Sequence, residues 1–258
     1  MLAAPDKQVS LTDPDARSMK TRGQGIVGYK VQTAVDAEHH LIIAHEVTNE
    51  GTDRRQLTNM SIHSREALGQ DNLTIIADRG YFRSEEILDN YAAGFKPLVP
   101  KTYTSNNVEQ GRFARTDFIY IATDNEYLCP AGERLRQTGS TTNDNKIYQS
   151  YTSAKCKNCH IKTQCTTGKE RRIRRWEHEE VLDDMQARLE QESESMKIRR
   201  QTVEHPFGTI KAWMGATHFL TRTLGRVSTE MSLHIPAYNM KRVINIVGID
   251  RLLNTIAA

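Results

Sequence analysis

Three acidic residues stand where a carboxylate could work on a substrate rather than on the fold. Asp36 closes the run Val31-Gln-Thr-Ala-Val, and Asp78 closes Leu73-Thr-Ile-Ile-Ala. Glu204 sits within Arg200-Gln-Thr-Val-Glu-His-Pro-Phe-Gly-Thr-Ile-Lys211. In open α/β sheets, side chains at strand ends face the crevice where ligands bind. Two aspartates so placed, joined by a glutamate from a helix, offer the hard oxygen donors that magnesium takes alongside substrate phosphate. Two such ions roughly 3.5–4 Å apart can activate an attacking oxygen and stabilise a leaving one in an in-line displacement. Arg200 precedes Glu204 by one helical turn and Lys211 follows it by two, so on a regular helix the three share a face and the cations could hold phosphates. The same spacing also describes an exposed, salt-bridged face, and among 32 acidic residues three can always be chosen. Pro206 removes a backbone donor and is expected to kink this helix beside the glutamate.

A second constellation is sulfur: Cys129, Cys156, Cys159 and Cys165. The first residues carry no basic stretch followed by an apolar run, so nothing points to export, and a disulfide framework is disfavoured. Cys156-Lys-Asn-Cys159 has the spacing of a metal knuckle, and Cys129 and Cys165 would complete a closed four-thiolate zinc site. The spacing departs from paired knuckles, and four reduced structural cysteines are the alternative. A thioredoxin-like reading fails, because Cys156 neither follows a strand nor opens a helix.

These residues need elements to hold them. Residues 1–27 are polar, with Pro5, Pro14, Gly23 and Gly25, and read as a linker-like lead-in. From Tyr29 the pattern alternates, and Leu41–Val47 gives a second strand, so the pair reads as an antiparallel hairpin. Asp53–Leu68 has helical spacing, Leu73–Ala77 is a buried-type strand, and Lys96–Pro100 holds a short one. Ser84 reads as the cap of the intervening helix, with Gly94 just past its end. Residues 101–178 are polar, hold all four cysteines and read as an inserted subdomain with few core residues, where a metal staple is physically sensible. Glu179–Arg200 reads as one long charged helix continuing through Val203–Met214, and a final helix runs over residues 228–247. The order predicts a mixed α/β sheet flanked by helices over 28–250, interrupted by the insert and followed by a tail at 251–258.

The net charge of +3 and a pI near 8.6 argue little by themselves. The clusters Lys169–Arg175 and Lys197–Arg200 say more, since they suit phosphate contact as well as a solvated face. No apolar stretch is long enough to span a bilayer, and a cytoplasmic location is the default expectation. His39, His40 and His45 surround the first hairpin and read as packing or surface residues. His205 receives no role, and Trp176 and Trp213 read as packing rather than base-stacking residues.

The local sequences carry more than their spacing. Val31-Gln-Thr-Ala-Val-Asp36, Ala77-Asp-Arg-Gly-Tyr-Phe82 and Val203-Glu-His-Pro-Phe-Gly-Thr-Ile-Lys-Ala-Trp213 together resemble the DDE transposases of bacterial insertion sequences, in the right order over roughly residues 20–250. The resemblance implies a ribonuclease-H-like fold whose Asp, Asp, Glu triad is Asp36, Asp78 and Glu204, binding two magnesium or manganese ions. It implies cleavage of double-stranded DNA at transposon ends and strand transfer to a target, that is, DNA recombination. One group of the family carries Tyr-x2-Arg-x3-Glu-x6-Lys around the glutamate. Arg200, Glu204 and Lys211 fit that spacing, while Lys197 occupies the tyrosine position. The resemblance implies DNA-backbone contacts for Arg200 and Lys211, and Arg79, beside the second aspartate, is a further candidate. Paired ends imply a homodimer. Family members carry an N-terminal helical DNA-binding domain, so the short lead-in reads as a truncation. The alternatives are a non-catalytic remnant that binds DNA or interferes with a full-length enzyme, and a ribonuclease-H-like nuclease without strand transfer.

Overall fold

The computed structural model describes residues 10–21, 24–102 and 105–257. The chain divides into two compact units, one formed by Met1–Lys101 with Asp184–Ala258 and the other by Thr102–Asp183. The mixed α/β class expected from the sequence is what the chain adopts.

The first unit opens with a hairpin of β1 (Arg17–Thr21) and β2 (Gln24–Gly28), where the sequence suggested only a linker. β3 (Lys30–Val35) and β4 (Ile42–Thr48) form the expected antiparallel pair, with Val31 opposite Val47 and a register shift between Ala34 and Val35. α1 (Leu57–Leu68) buries Leu57, Met60, Ser61 and Ser64, the one-face spacing of a packed helix. β5 (Thr74–Ile76) and β6 (Lys96–Leu98) run parallel, joined through α2 (Ser84–Ala92). Ser84 is the first helical residue rather than the cap. Arg83 holds the cap position in extended conformation, and its side chain pairs with Glu85 rather than capping the helix. α1 and α2 meet along a polar seam, where the fully buried Asn90 amide donates to Thr58 Oγ1 at 2.9 Å and to Glu86 O at 3.0 Å.

The second unit is a five-stranded antiparallel sheet in the order β11-β10-β9-β8-β7, built from β7 (Ile119–Ile121), β8 (Glu126–Leu128), β9 (Arg134–Asn143), β10 (Lys146–Thr152) and β11 (Ile173–Trp176). Phe118, Tyr127, Leu135, Tyr151 and Ile173 make its own buried core, so this stretch is richer in core than its polar composition suggests. Trp176 is buried as expected.

The long helix expected after it is broken. α3 (Glu179–Gln191) and α4 (Ser195–Gly208) are separated at Glu192-Ser-Glu, where no apolar face continues and serine favours local turns. Pro206 is accommodated inside α4. The helix passes into a π-helical turn at Thr209–Trp213, the kind of irregularity that a missing backbone donor invites. Trp213 is 80 % exposed, against the packing role expected of it. α5 (Leu224–Val247) buries Val227, Met231, Ile235 and Tyr238 against Ile42, Val47 and Ile210. These positions fall on one helical stripe. The expected tail is largely helical, as α6 (Ile249–Ala257).

Met231 is 3 % exposed at the centre of this stripe. Met231→Ala is expected to cost about 2–5 kcal/mol of stability, read as a lower urea midpoint.

Candidate active site

Asp36 follows β3 at the head of a tight turn. Its amide donates to Leu41 O at 2.9 Å, its carbonyl accepts from the His40 amide at 3.0 Å, and Oδ2 accepts from the His39 amide at 2.5 Å. His40 turns the chain with a φ of 59°, a left-handed conformation unusual for a non-glycine residue. α5 clamps this turn from outside. Tyr238 donates its hydroxyl to His40 O at 2.7 Å, and Arg242 Nε donates to His39 O at 2.7 Å. The Asn239 amide bonds both the N–H and the C=O of Ile42 at 2.9 Å. Because the Tyr238 proton goes to His40, the contact of 3.0 Å from His205 Nδ1 requires His205 to donate. The residue left without a role thus braces Tyr238, and through it the Asp36 turn, from the helix that carries Glu204.

Asp78 follows β5 and caps a single 3-10 turn, Arg79–Tyr81, its Oδ1 accepting from the Gly80 amide at 2.8 Å. Its Oδ2 accepts from Arg199 Nη2 of α4 at 2.8 Å. Arg79 is exposed in the same turn. A Cβ on Gly80 would lie 2.9 Å from Asp78 Oδ1, so a side chain there would push the carboxylate off the amide it caps.

Glu204 is exposed on α4. It shares with Asp36 and Lys211 a cleft of about 820 Å³ between β3, α1, β5 and α4. The structure therefore brings together Asp36, Glu204 and Lys211. Arg200 is exposed on α4 and does not line the cleft. Asp78 is not on the cleft wall either, although its neighbours Ala77 and Tyr81 and its partner Arg199 are. Among the described residues, no three His, Cys, Asp or Glu side chains converge in an arrangement that could hold a metal ion. Arg199 is the cation that the sequence reading missed. The Tyr-Arg-Glu-Lys spacing singles out Arg200, yet it is the adjacent arginine that meets an aspartate.

In the second unit all four cysteines are free and partly buried, and they line one small cavity with Phe118, Lys162 and Arg171. Burial pushes the Cys165 thiol up, Arg171 opposes this, and the other three thiols add to it. The basic run beside them is partly committed to the fold. Arg171 lies over the Phe118 ring and donates to Cys165 O at 3.2 Å and Phe113 O at 3.3 Å. Arg175 is buried, sits 3.8 Å from the Tyr120 ring centroid and pairs with Asp183 at 2.7 Å. Lys169, Arg172 and Arg174 remain exposed.

Residues 128–244 match the family model described as a transposase DDE domain. The match bears out the resemblance to DDE transposases over that stretch. The matched stretch covers less than half of the chain; it includes Glu204, Lys211 and the four cysteines, and begins beyond Asp36 and Asp78. No curated protein and no solved structure gives a match. Among the described residues, no helix is long and apolar enough to cross a membrane.

Burial, reinforced by Arg242 and His40, holds the His205 imidazole below its usual range, and burial alone does the same for His45. A base whose folded pKa is depressed takes up protons more readily when unfolded. Its stabilising contribution is complete above the unfolded value of about 6.5 and drains away as the pH falls below it towards the depressed folded value. The urea midpoint is therefore expected to fall between about pH 7 and 5, and the His45→Gln, His205→Gln double variant should show a shallower fall.

Proposed function

We propose that this chain is the catalytic part of a DDE transposase that cleaves DNA at transposon ends and joins the freed strand to a target. The reading is supported above all by Asp36, Glu204 and Lys211 lining one cleft in a chain whose residues 128–244 match the transposase DDE domain model. A ribonuclease-H-like core is supported by the β3–β4 hairpin followed by the parallel β5-α2-β6 unit and helices. On this reading the catalytic domain spans 28–250 and 101–178 is its insert.

Asp36, Asp78 and Glu204 are the residues that would hold magnesium or manganese, as carboxylates suited to hard cations. When bound, such ions activate the attacking oxygen and stabilise the leaving one. Asp36 and Glu204 both line the cleft, and their side chains are of the oxygen-donor type such ions take. Asp78 joins them once its Oδ2 leaves Arg199, and the released guanidinium is then beside the cleft to hold a phosphate oxygen. Lys211 in the cleft wall, with Arg200 and Arg79 on the exposed surface, would hold the DNA backbone. The Tyr-Arg-Glu-Lys subgroup, a homodimer on paired ends and a cytoplasmic location belong to the same proposal.

Cleavage and strand-joining of end-containing DNA with magnesium or manganese tests it. Asp36→Asn, Asp78→Asn and Glu204→Gln should each lower the rate at least ~1000-fold, the equivalent of about 4 kcal/mol of charge stabilisation in the transition state. Cleavage without joining would leave a nuclease, and no reaction by the unaltered chain would reject the catalytic reading.

We further propose a structural zinc ion held by Cys129, Cys156, Cys159 and Cys165, which line one small cavity but would have to draw closer to ligate a common metal. Metal analysis of the purified chain is expected to find one zinc per chain, lost in Cys156→Ser. A metal-free chain with unchanged stability would reduce the four to structural thiols.

A further inference from the structure

Behind the Asp78 turn lies a line of polar side chains that the chemistry above does not use. Lys30 and Gln32 are two apart on β3 and so project from one face. Lys30 Nζ donates to Asp53 Oδ2 at 2.9 Å, and Gln32 Nε2 donates to Asp53 Oδ1 at 2.8 Å. Gln32 is 2 % exposed, and its amide oxygen accepts the Tyr81 hydroxyl. Tyr81 closes the turn that Asp78 caps, its amide donating to Asp78 O at 3.1 Å. An ionised carboxylate only accepts, so Asp53 forces the Gln32 NH₂ towards itself and the Gln32 oxygen towards Tyr81. A tyrosine hydroxyl keeps its proton at neutral pH, so Tyr81 is the donor in this contact.

The backbone does not do this job. β3 is laddered to β4 and β5 to β6, and among the described residues no strand ladder joins β3 to β5. Yet β3 leads into Asp36 and β5 into Asp78. A side-chain link between β3 and the Asp78 turn therefore bears on how the two aspartates stand to one another. The turn also brings the two carboxylates close, for a Cβ on Gly80 would crowd Asp78 Oδ1 at 2.9 Å and reach ordinary contact with Asp53 Oδ2 at 3.8 Å.

We propose that Asp53, Gln32 and Tyr81 are positioning residues that fix the Asp78 turn against β3, and so set the distance between Asp78 and Asp36. This rests on the reading of Asp36 and Asp78 as ligands of one metal centre and deepens it. None of the three touches the reacting atoms; they act through the turn.

The test is manganese binding to the full chain, followed by electron paramagnetic resonance, beside its thermal unfolding midpoint. The unaltered chain should bind Mn²⁺ and Asp78→Ala should abolish strong binding. Tyr81→Phe, which removes one hydroxyl, should weaken Mn²⁺ binding by about tenfold with little change in midpoint, the usual scale for residues that orient metal ligands. Asp53→Asn is the second variant. It keeps the shape but frees the Gln32 amide to turn over, and about a threefold loss is expected, below the range for outright removal of an orienting group. Unchanged Mn²⁺ affinity in both variants overturns the positioning role alone. An unaltered chain that binds no Mn²⁺ overturns the ligand reading, and the positioning role with it.

Discussion

Much of the first unit depends on how α5 grips the β3–β4 hairpin. The apolar stripe Val227, Met231, Ile235 and Tyr238 packs against Ile42 and Val47. Burial of that kind is strong but says little about register. The polar contacts at the end of the stripe supply it. Asn239 bonds both backbone groups of Ile42, and Tyr238 and Arg242 take the carbonyls of His40 and His39. A turn with a left-handed histidine would be costly in isolation, and here its free carbonyls are matched one by one from a single helix. Asp36 inherits its position from that match.

A second constraint concerns charge. Asp78 sits in the chain as one half of an ion pair with Arg199, and its other oxygen is satisfied by the turn it caps. The pair is partly exposed, so it is a modest contributor to stability. Its weight is local, since it neutralises the aspartate and ties the β5 turn to α4. Glu204, by contrast, is exposed on the cleft it shares with Asp36, whose own carboxylate is engaged by the amide and ring of His39.

The sequence made the hairpin, α1, the β5-α2-β6 unit and α5 legible, because each has its own period and its own punctuation. It also picked out acidic residues at strand ends from local pattern alone. What escaped it depends on contacts between elements. The break between α3 and α4 lies in a charged run whose helical propensity is only mildly interrupted. The 102–183 core draws on Phe118, Tyr127, Leu135, Tyr151 and Ile173, scattered among polar residues on alternating strand faces. Arg199 and Arg200 differ by one position, and only the rotation of α4 against the β5 turn decides which arginine meets the aspartate. Gln32 looks like an ordinary polar residue in an alternating strand until its burial is known. Seven-residue spacing from Glu204 to Lys211 assumes a regular helix; the π-helical turn alters the pitch, yet both residues still open on the cleft.

The basic run at 169–175 carries a lesson about counting cations. Arg175 is sealed beneath Tyr120 and Asp183, and Arg171 is engaged with backbone carbonyls and the Phe118 ring, whereas Lys169, Arg172 and Arg174 face water. Only cations that meet phosphate release condensed counterions, at close to one per phosphate neutralised on duplex DNA. A polyelectrolyte estimate made from composition would thus credit this stretch with more ion release than its surface can deliver, and would overstate how steeply any DNA affinity weakens with added salt.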